Sequence, residues 1–149
     1  MAEAVEESAR IPAPPEDVYD LLMDPDQLGT WVSAHREVLD MPELPLAEGE
    51  EFGQKLGVGP VRFKVRWTVE EARRPSYARW SGKGPGGSEA EVTYELSEEG
   101  GGTRFDYTNE YKLPGGLLGK AAKGAVSSAA GSREARKSLK RLREHFERH

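Results

Sequence analysis

VRFKVRWTVE, residues 61–70, is the stretch on which the fold turns. Val61, Phe63, Val65, Trp67 and Val69 alternate with Arg62, Lys64, Arg66, Thr68 and Glu70. Period two with one apolar face predicts a half-buried strand of an antiparallel sheet. The same character continues on both sides. Upstream, residues 50–56 and 32–40 read as strands separated by the Pro-containing loop MPELPLAEGE. Downstream, residues 76–82 form a strand that leads into a Gly-rich turn. Residues 89–96 then put Ala90, Val92, Tyr94 and Leu96 on one face. After the turn EEGGG, residues 103–113 put Phe105, Tyr107, Asn109, Tyr111 and Leu113 on one face. Near the start, residues 4–11 align Val5, Ala9 and Ile11, with Glu7 sharing their face.

Helices flank this run. In PAPPEDVYDLLMDPDQLGTW, Pro15 suits a first helical position, and Glu16 and Asp17 suit a first turn. Val18, Leu21 and Leu22 make the apolar face. Asp24-Pro25 ends this helix and starts a second, with Gln27 three residues after Asp24 as in a capping box. The second helix ends near Trp31. The last 34 residues read as one long helix. Leu118, Ala122, Ala125, Ala129, Ser132, Arg136 and Leu139 are spaced four and three apart, and Ala135, Leu139, Leu142 and Phe146 carry the apolar stripe onward. Three glycines, Gly119, Gly124 and Gly131, weaken that helix by about 1 kcal/mol each. The order strand, two short helices, six strands, long helix predicts an α+β fold with helices gathered on one face of an antiparallel sheet. One domain is expected over residues 1–149, with no internal repeat and no linker.

The composition narrows the function classes. A net charge of -5 argues against nucleic-acid binding by bulk attraction. With no cysteine, disulfides, thiol catalysis and thiolate metal sites are excluded. MAEAVEESAR lacks the basic and apolar regions of a signal peptide, and no apolar run approaches the roughly 20 residues of a membrane span. A soluble, cytoplasmic protein is the default expectation.

IPAPPEDVYDLLMDPDQLGTW resembles the opening of the START-related, birch-pollen-allergen-like superfamily (SRPBCC), through Ile11, Ala13, Pro14, Glu16, Val18, Tyr19, Asp24, Pro25, Leu28 and Trp31. TRFDYTNEYKLPGGLLG, residues 103–119, is similar to the last strand and helix start of its polyketide cyclase/dehydrase and lipid-transport group. The resemblance implies a helix-grip fold: a curved seven-stranded antiparallel sheet around the long C-terminal helix, with the two short helices closing one end. In many members a cavity lies between sheet and helix. Members include lipid and sterol carriers, plant hormone receptors, aromatases and cyclases, ubiquinone-binding proteins and co-chaperone-like domains, so membership alone does not choose a chemistry.

On the inner face, Trp67, Trp80, Tyr94, Phe105, Tyr107 and Tyr111 either line an apolar pocket or form ordinary core. Opposite them, Ala122, Ala125 and Ala129 of the helix carry little volume, which favours a pocket. Asn109, between Tyr107 and Tyr111, is out of place on an apolar face. It must be partnered by ligand, backbone or water, because an unpartnered buried amide costs a few kcal/mol. Glu7 and Gln54 have the same status, and a cavity-facing Glu7 would serve as a general acid or base. The face of His35 is ambiguous, and a structural or exposed role is expected for it. His145 and His149 are four apart on a helix, but no carboxylate or cysteine completes a metal set. GKGPGG, residues 82–87, matches G-x-G-x-x-G in form; a strand follows it and Pro85 sits within it, so a hairpin turn is expected. The basic tail REARKSLKRLREHFERH reads as a solvated outer helix face. Leu117 and Leu118 read as a helix cap or as a lip touching membranes transiently.

The leading expectation is a protein that binds or transports a small hydrophobic molecule, such as a lipid, quinone or polyketide-like ring. Trp67, Trp80, Tyr94, Phe105, Tyr107, Asn109, Tyr111, Ala122, Ala125 and Ala129 would shape the site. No cofactor, metal, nucleic-acid partner or stable membrane insertion is expected, and no catalytic residue is assigned. The alternatives are a polyketide aromatase/cyclase-type enzyme and a cavity-poor protein-interaction module.

Overall fold

The computed structural model describes residues 2–44, 46–58, 60–112 and 128–148. Strand β1 (Ala2–Ile11) leads into helix α1 (Pro15–Leu22), a single 3-10 turn (Pro25–Gln27) and the one-turn helix α2 (Leu28–Trp31). Strands β2 (His35–Leu39), β3 (Glu51–Val58), β4 (Val61–Arg73), β5 (Tyr77–Lys83), β6 (Glu89–Glu99) and β7 (Gly102–Lys112) follow. Helix α3 (Ser128–Arg148) completes the described chain. The strands form one curled, wholly antiparallel sheet in the order β1-β7-β6-β5-β4-β3-β2. Each of β3 to β7 lies beside its sequence neighbours, whereas β1 crosses to the far edge and pairs with β7. This is the expected α+β helix-grip arrangement.

The local chemistry explains the elements. Pro15 occupies the start of α1, where its missing N–H costs nothing. Val18, Tyr19 and Leu22 bury the inner face of that helix. The Asp24 carboxylate accepts from the Asp26 N–H at 3.0 Å and caps the 3-10 turn. The other half of the expected capping box does not form: Gln27 Oε1 accepts from Thr30 Oγ1 at 2.9 Å instead. Thr103, fully buried, donates its hydroxyl to the Ala13 carbonyl at 2.7 Å. That bond fastens the corner between β1 and α1 to the start of β7.

In β4, Val65, Trp67 and Val69 are buried while Arg62, Lys64, Arg66 and Glu70 are exposed, as the alternation predicts. The strand then runs on to Arg73. A register shift between Val69 and Glu71 against β5 restores the inward direction at Ala72, which pairs with the fully buried Ala78. Such a bulge bends its strand and raises local twist, and this one helps the sheet to curl. GKGPGG is indeed the β5–β6 hairpin: Gly84 N–H donates to the Ser88 carbonyl at 2.9 Å, and Ser88 Oγ donates to the Pro85 carbonyl at 2.8 Å. Gly86 and Gly87 adopt φ of 66° and 82°, which glycine reaches without steric cost.

The core lies between the sheet's concave face, α1, α2 and α3. Ile11, Val18, Leu22, Leu28, Trp31, Phe52, Val69, Trp80, Phe105 and Leu142 are almost wholly removed from solvent. Helix α3 docks with Ala135, Ser138, Leu139 and Leu142, and Phe146 packs partly against the core. The expected stripe therefore holds from Ala135 onward. Arg136, expected on the same face, is exposed instead, and its guanidinium meets the Glu7 carboxylate at 3.5 Å. Residues 113–127, with Ala122, Ala125, Leu117 and Leu118, lie outside the described residues.

Candidate functional site

The inner face of the sheet and one side of α3 border a hollow of about 180 Å³. Trp67 on β4, Trp80 on β5, Tyr94 on β6, and Tyr107, Asn109 and Tyr111 on β7 all stand on its wall. These residues come from four consecutive strands, and the pleat turns them to one side. Phe105 does not border the hollow. It is fully buried one pleat further along β7, with its ring 6.1 Å from Trp31 and 5.5 Å from Tyr94. Ala129 belongs to α3, while Ala122 and Ala125 fall outside the described residues. Among the described residues, α3 borders the hollow with Gly131, Glu134, Ala135 and Ser138.

The aromatic wall is one continuous network. Trp80 packs edge-on against Trp67 at 5.9 Å and against Tyr94 at 5.4 Å, and Trp31 packs edge-on against Tyr94 at 5.9 Å and Tyr107 at 6.3 Å. These are preferred quadrupolar arrangements, worth about 0.5–1.5 kcal/mol each beyond burial. Burial pushes the Tyr94 hydroxyl well above its ordinary pKa, and Tyr107 adds to the shift. Burial likewise pushes Tyr107 up to about 12, against the opposing effect of its bond from Asn109. Both phenols stay neutral at physiological pH.

Polar groups interrupt this wall at defined points. Gln54, expected on the inner face, is there and buried. Its Oε1 accepts from Trp67 Nε1 at 2.9 Å, and its Nε2 meets His35 Nδ1 at 2.9 Å. The amide orientation makes His35 Nδ1 an acceptor, so the neutral ring carries its proton on Nε2. His35 is thus joined to the wall through Gln54. Glu7 is on the inner face as expected, but its pairing with Arg136 holds it away from the hollow.

Asn109 donates from Nδ2 to the Tyr107 hydroxyl at 3.3 Å. Its Oδ1, together with Trp31 Nε1 and Trp80 Nε1, is buried without a hydrogen-bond partner among the described residues. Such atoms are uncommon in native interiors because each forfeits its hydration. Here all three belong to residues that border one hollow.

A polar cluster marks the junction of α3 with the segment after α2. Ser33 N–H donates to Ser138 Oγ at 2.9 Å, Ser138 Oγ donates to Ser33 Oγ at 3.3 Å, and the Ser33 hydroxyl donates to Glu134 Oε2. Lys137 approaches Glu134 Oε1 only at 4.0 Å, from a largely exposed position. Trp31, Glu134 and Ser138 were not among the residues expected to line the site. The spacing 131, 134, 135, 138 does mark one helix face, but Gly131 and Ser132 are too alike in size to show which of them points inward. Among the described residues no group of three or more His, Cys, Asp or Glu could hold a metal ion. No helix among them is long and apolar enough to cross a membrane.

This architecture recurs in known proteins. An uncharacterised Mycobacterium tuberculosis protein, Rv1546 (strain ATCC 25618 / H37Rv), is 30% identical over 148 residues, covering 96% of this chain and 98% of that one. Protein CV1439 from Chromobacterium violaceum superposes with a TM-score of 0.76 at 18% identity over 97% of each chain. Ara h 8.0201 superposes with a TM-score of 0.69 at 11% identity over 100% of each chain. At these identities the two structures are likenesses of fold. They agree with the resemblance seen in residues 11–31. A family-level match runs over residues 2–147, through every strand and every residue that borders the hollow, and it places the chain in the polyketide cyclase/dehydrase and lipid transport family.

Proposed function

We propose that the protein binds a small, largely apolar molecule in the hollow between the sheet and α3, and carries or presents it. The observation that carries this reading is a hollow walled by aromatic side chains and bordered by a few polar residues, Gln54, Asn109, Glu134 and Ser138. An apolar cavity with a few convergent polar groups is the usual form of a ligand site. Membership of a family that includes lipid transport agrees with this reading.

The test is native mass spectrometry of gently purified protein, with extraction of anything bound. It is paired with thermal unfolding against a panel of apolar compounds. Binding at a hundredfold excess over Kd stabilises the fold by about 2.7 kcal/mol. Ala90→Phe, which fills the hollow from its half-buried β6 wall, should abolish that shift while the protein stays folded. A panel that stabilises neither protein, with nothing extracted, would end the carrier reading.

Glu134 supports a second reading, a cyclase-type enzyme, because it is a carboxylate bordering the hollow. In that case Glu134→Gln should remove turnover of a polyketide-like substrate without removing its binding.

A further inference from the structure

We infer that the protein forms a salt-sensitive two-fold dimer through the convex face of its sheet, with the cationic half of one copy on the acidic half of the other. The inference concerns the side of the sheet away from the hollow and does not depend on what the hollow holds. Helices α1, α2 and α3 pack on the concave side, so among the described residues no helix covers the convex face.

The charges of this face are sorted by sign. On β3 and β4 its outward residues include Lys55, Arg62, Lys64 and Arg66. Arg36 joins them, because a Cβ placed on Gly57 would stand 2.9 Å from both the Arg36 and the Arg62 side chains. On β6, β7 and β1 the outward residues include Glu89, Glu91, Glu95, Asp106, Glu110 and Glu6. Lys112 and Arg10 stand at opposite ends of that half. Strand β5 carries the border: Lys83 lies between Arg66 and Glu89, and Arg79 meets Glu91 at 3.5 Å.

Within each half the register sets like charges directly opposite. Lys55 faces Lys64 and Arg66 faces Lys83 on one side, while Glu91 faces Glu110 and Glu95 faces Asp106 on the other. Such pairs destabilise a sheet, and a surface built only for solubility intersperses its signs. Local partners answer part of this: Glu37 meets Lys55, Asp40 and Glu51 meet Arg66, and Arg104 meets Asp106. Lys64, Glu95 and Glu110 have no ion-pair partner among the described residues.

The occupant of this face carries both signs in the reverse order. An anionic membrane or a nucleic acid would be repelled by the acidic half. A second copy, turned about a two-fold axis through β5, lays each half on its opposite, the self-complementary contact of an isologous dimer. The hollow of each copy faces away from that contact.

Sedimentation velocity of the intact protein should show a concentration-dependent dimer at low ionic strength. It should dissolve toward about 1 M salt, where charges are screened within about 3 Å. Lys55→Glu with Lys64→Glu makes one variant whose face is acidic throughout; Glu95→Lys with Glu110→Lys makes a second that is mostly cationic. Each alone should dimerise at least about tenfold more weakly, and an equal mixture should form a heterodimer at least as tight as the wild type. Zero-length carbodiimide cross-linking of the wild type reads the contact directly. In one copy Lys64 and Glu110 are three strand spacings, at least about 14 Å, apart, so a bond joining the Lys55 or Lys64 peptide to the Glu110 peptide forms between copies. A monomeric wild type at low ionic strength, a dimer indifferent to salt, reversed variants that do not pair, or the absence of that cross-link overturns the inference. Should a variant misfold, the salt dependence and the cross-link of the wild type decide. The binding reading stands in every case.

Discussion

At the scale of single residues, the pair His35–Gln54 has a direction. The Gln54 carbonyl is occupied by the Trp67 indole N–H, so its NH2 must face His35. Protonating Nδ1 would set N–H against N–H. The surroundings oppose protonation as well: burial, then the neighbouring Arg36 cation, lower the His35 pKa from its ordinary 6.5. A base with a depressed folded pKa binds fewer protons folded than unfolded. Its contribution to stability is therefore complete above pH 6.5 and is lost as the pH falls through the lower folded value. Urea midpoints of the wild type and His35→Gln, taken at about pH 8 and about pH 5, should separate the effect. The wild type should lose more stability on acidification than the variant, and an equal loss in both would remove His35 from the account. None of this direction was legible in the chain. β2 carries a register shift between His35 and Glu37, and a shift of that kind erases the alternation from which a face is read.

At the scale of the element, α3 shows why its small residues matter. A Cβ added at Gly131 would stand 2.8 Å from Val5 Cγ2 and 3.3 Å from Tyr111 Oη. The helix thus approaches β1 and β7 too closely for a larger residue at this point. Gly131→Ala would gain about 1 kcal/mol of helix propensity, but overpacking costs about 1–3 kcal/mol. The variant should therefore unfold at a lower urea concentration than the wild type; a higher midpoint would mean that the contact relaxes freely. The existence of this helix, its end and its Leu139–Leu142–Phe146 stripe could be read from sequence because Leu and Phe mark a face strongly. Its rotation near Gly131 could not. Gly, Ala and Ser differ little in transfer energy, so the expected face ran through Ser132 and Arg136 before joining Ala135, whereas the observed one runs through Gly131, Glu134 and Ala135. Glu134 and Ser138 were overlooked for the same reason. In β4, by contrast, five apolar residues alternating with five polar ones left no ambiguity up to Val69. The extension through Ala72 was hidden by the bulge.

At the scale of the whole molecule, the order of elements carried the architecture, because short helices between a first strand and a six-strand run leave few ways to bury every apolar face. The hollow is a different kind of property. Its volume depends on how far α3 stands from the sheet, and so on sub-residue distances that no residue pattern encodes. Its walls nevertheless confer an optical consequence. All three tryptophans of the chain, Trp31, Trp67 and Trp80, border this one space, and each is at most 5% exposed. The protein therefore needs no label to report occupancy. Indole emission should lie at short wavelength in the empty folded state and move to the red on unfolding. It should be quenched in proportion to saturation when an aromatic guest stacks against the wall. A compound that raises thermal stability yet leaves that emission unchanged must be sitting somewhere else on the molecule.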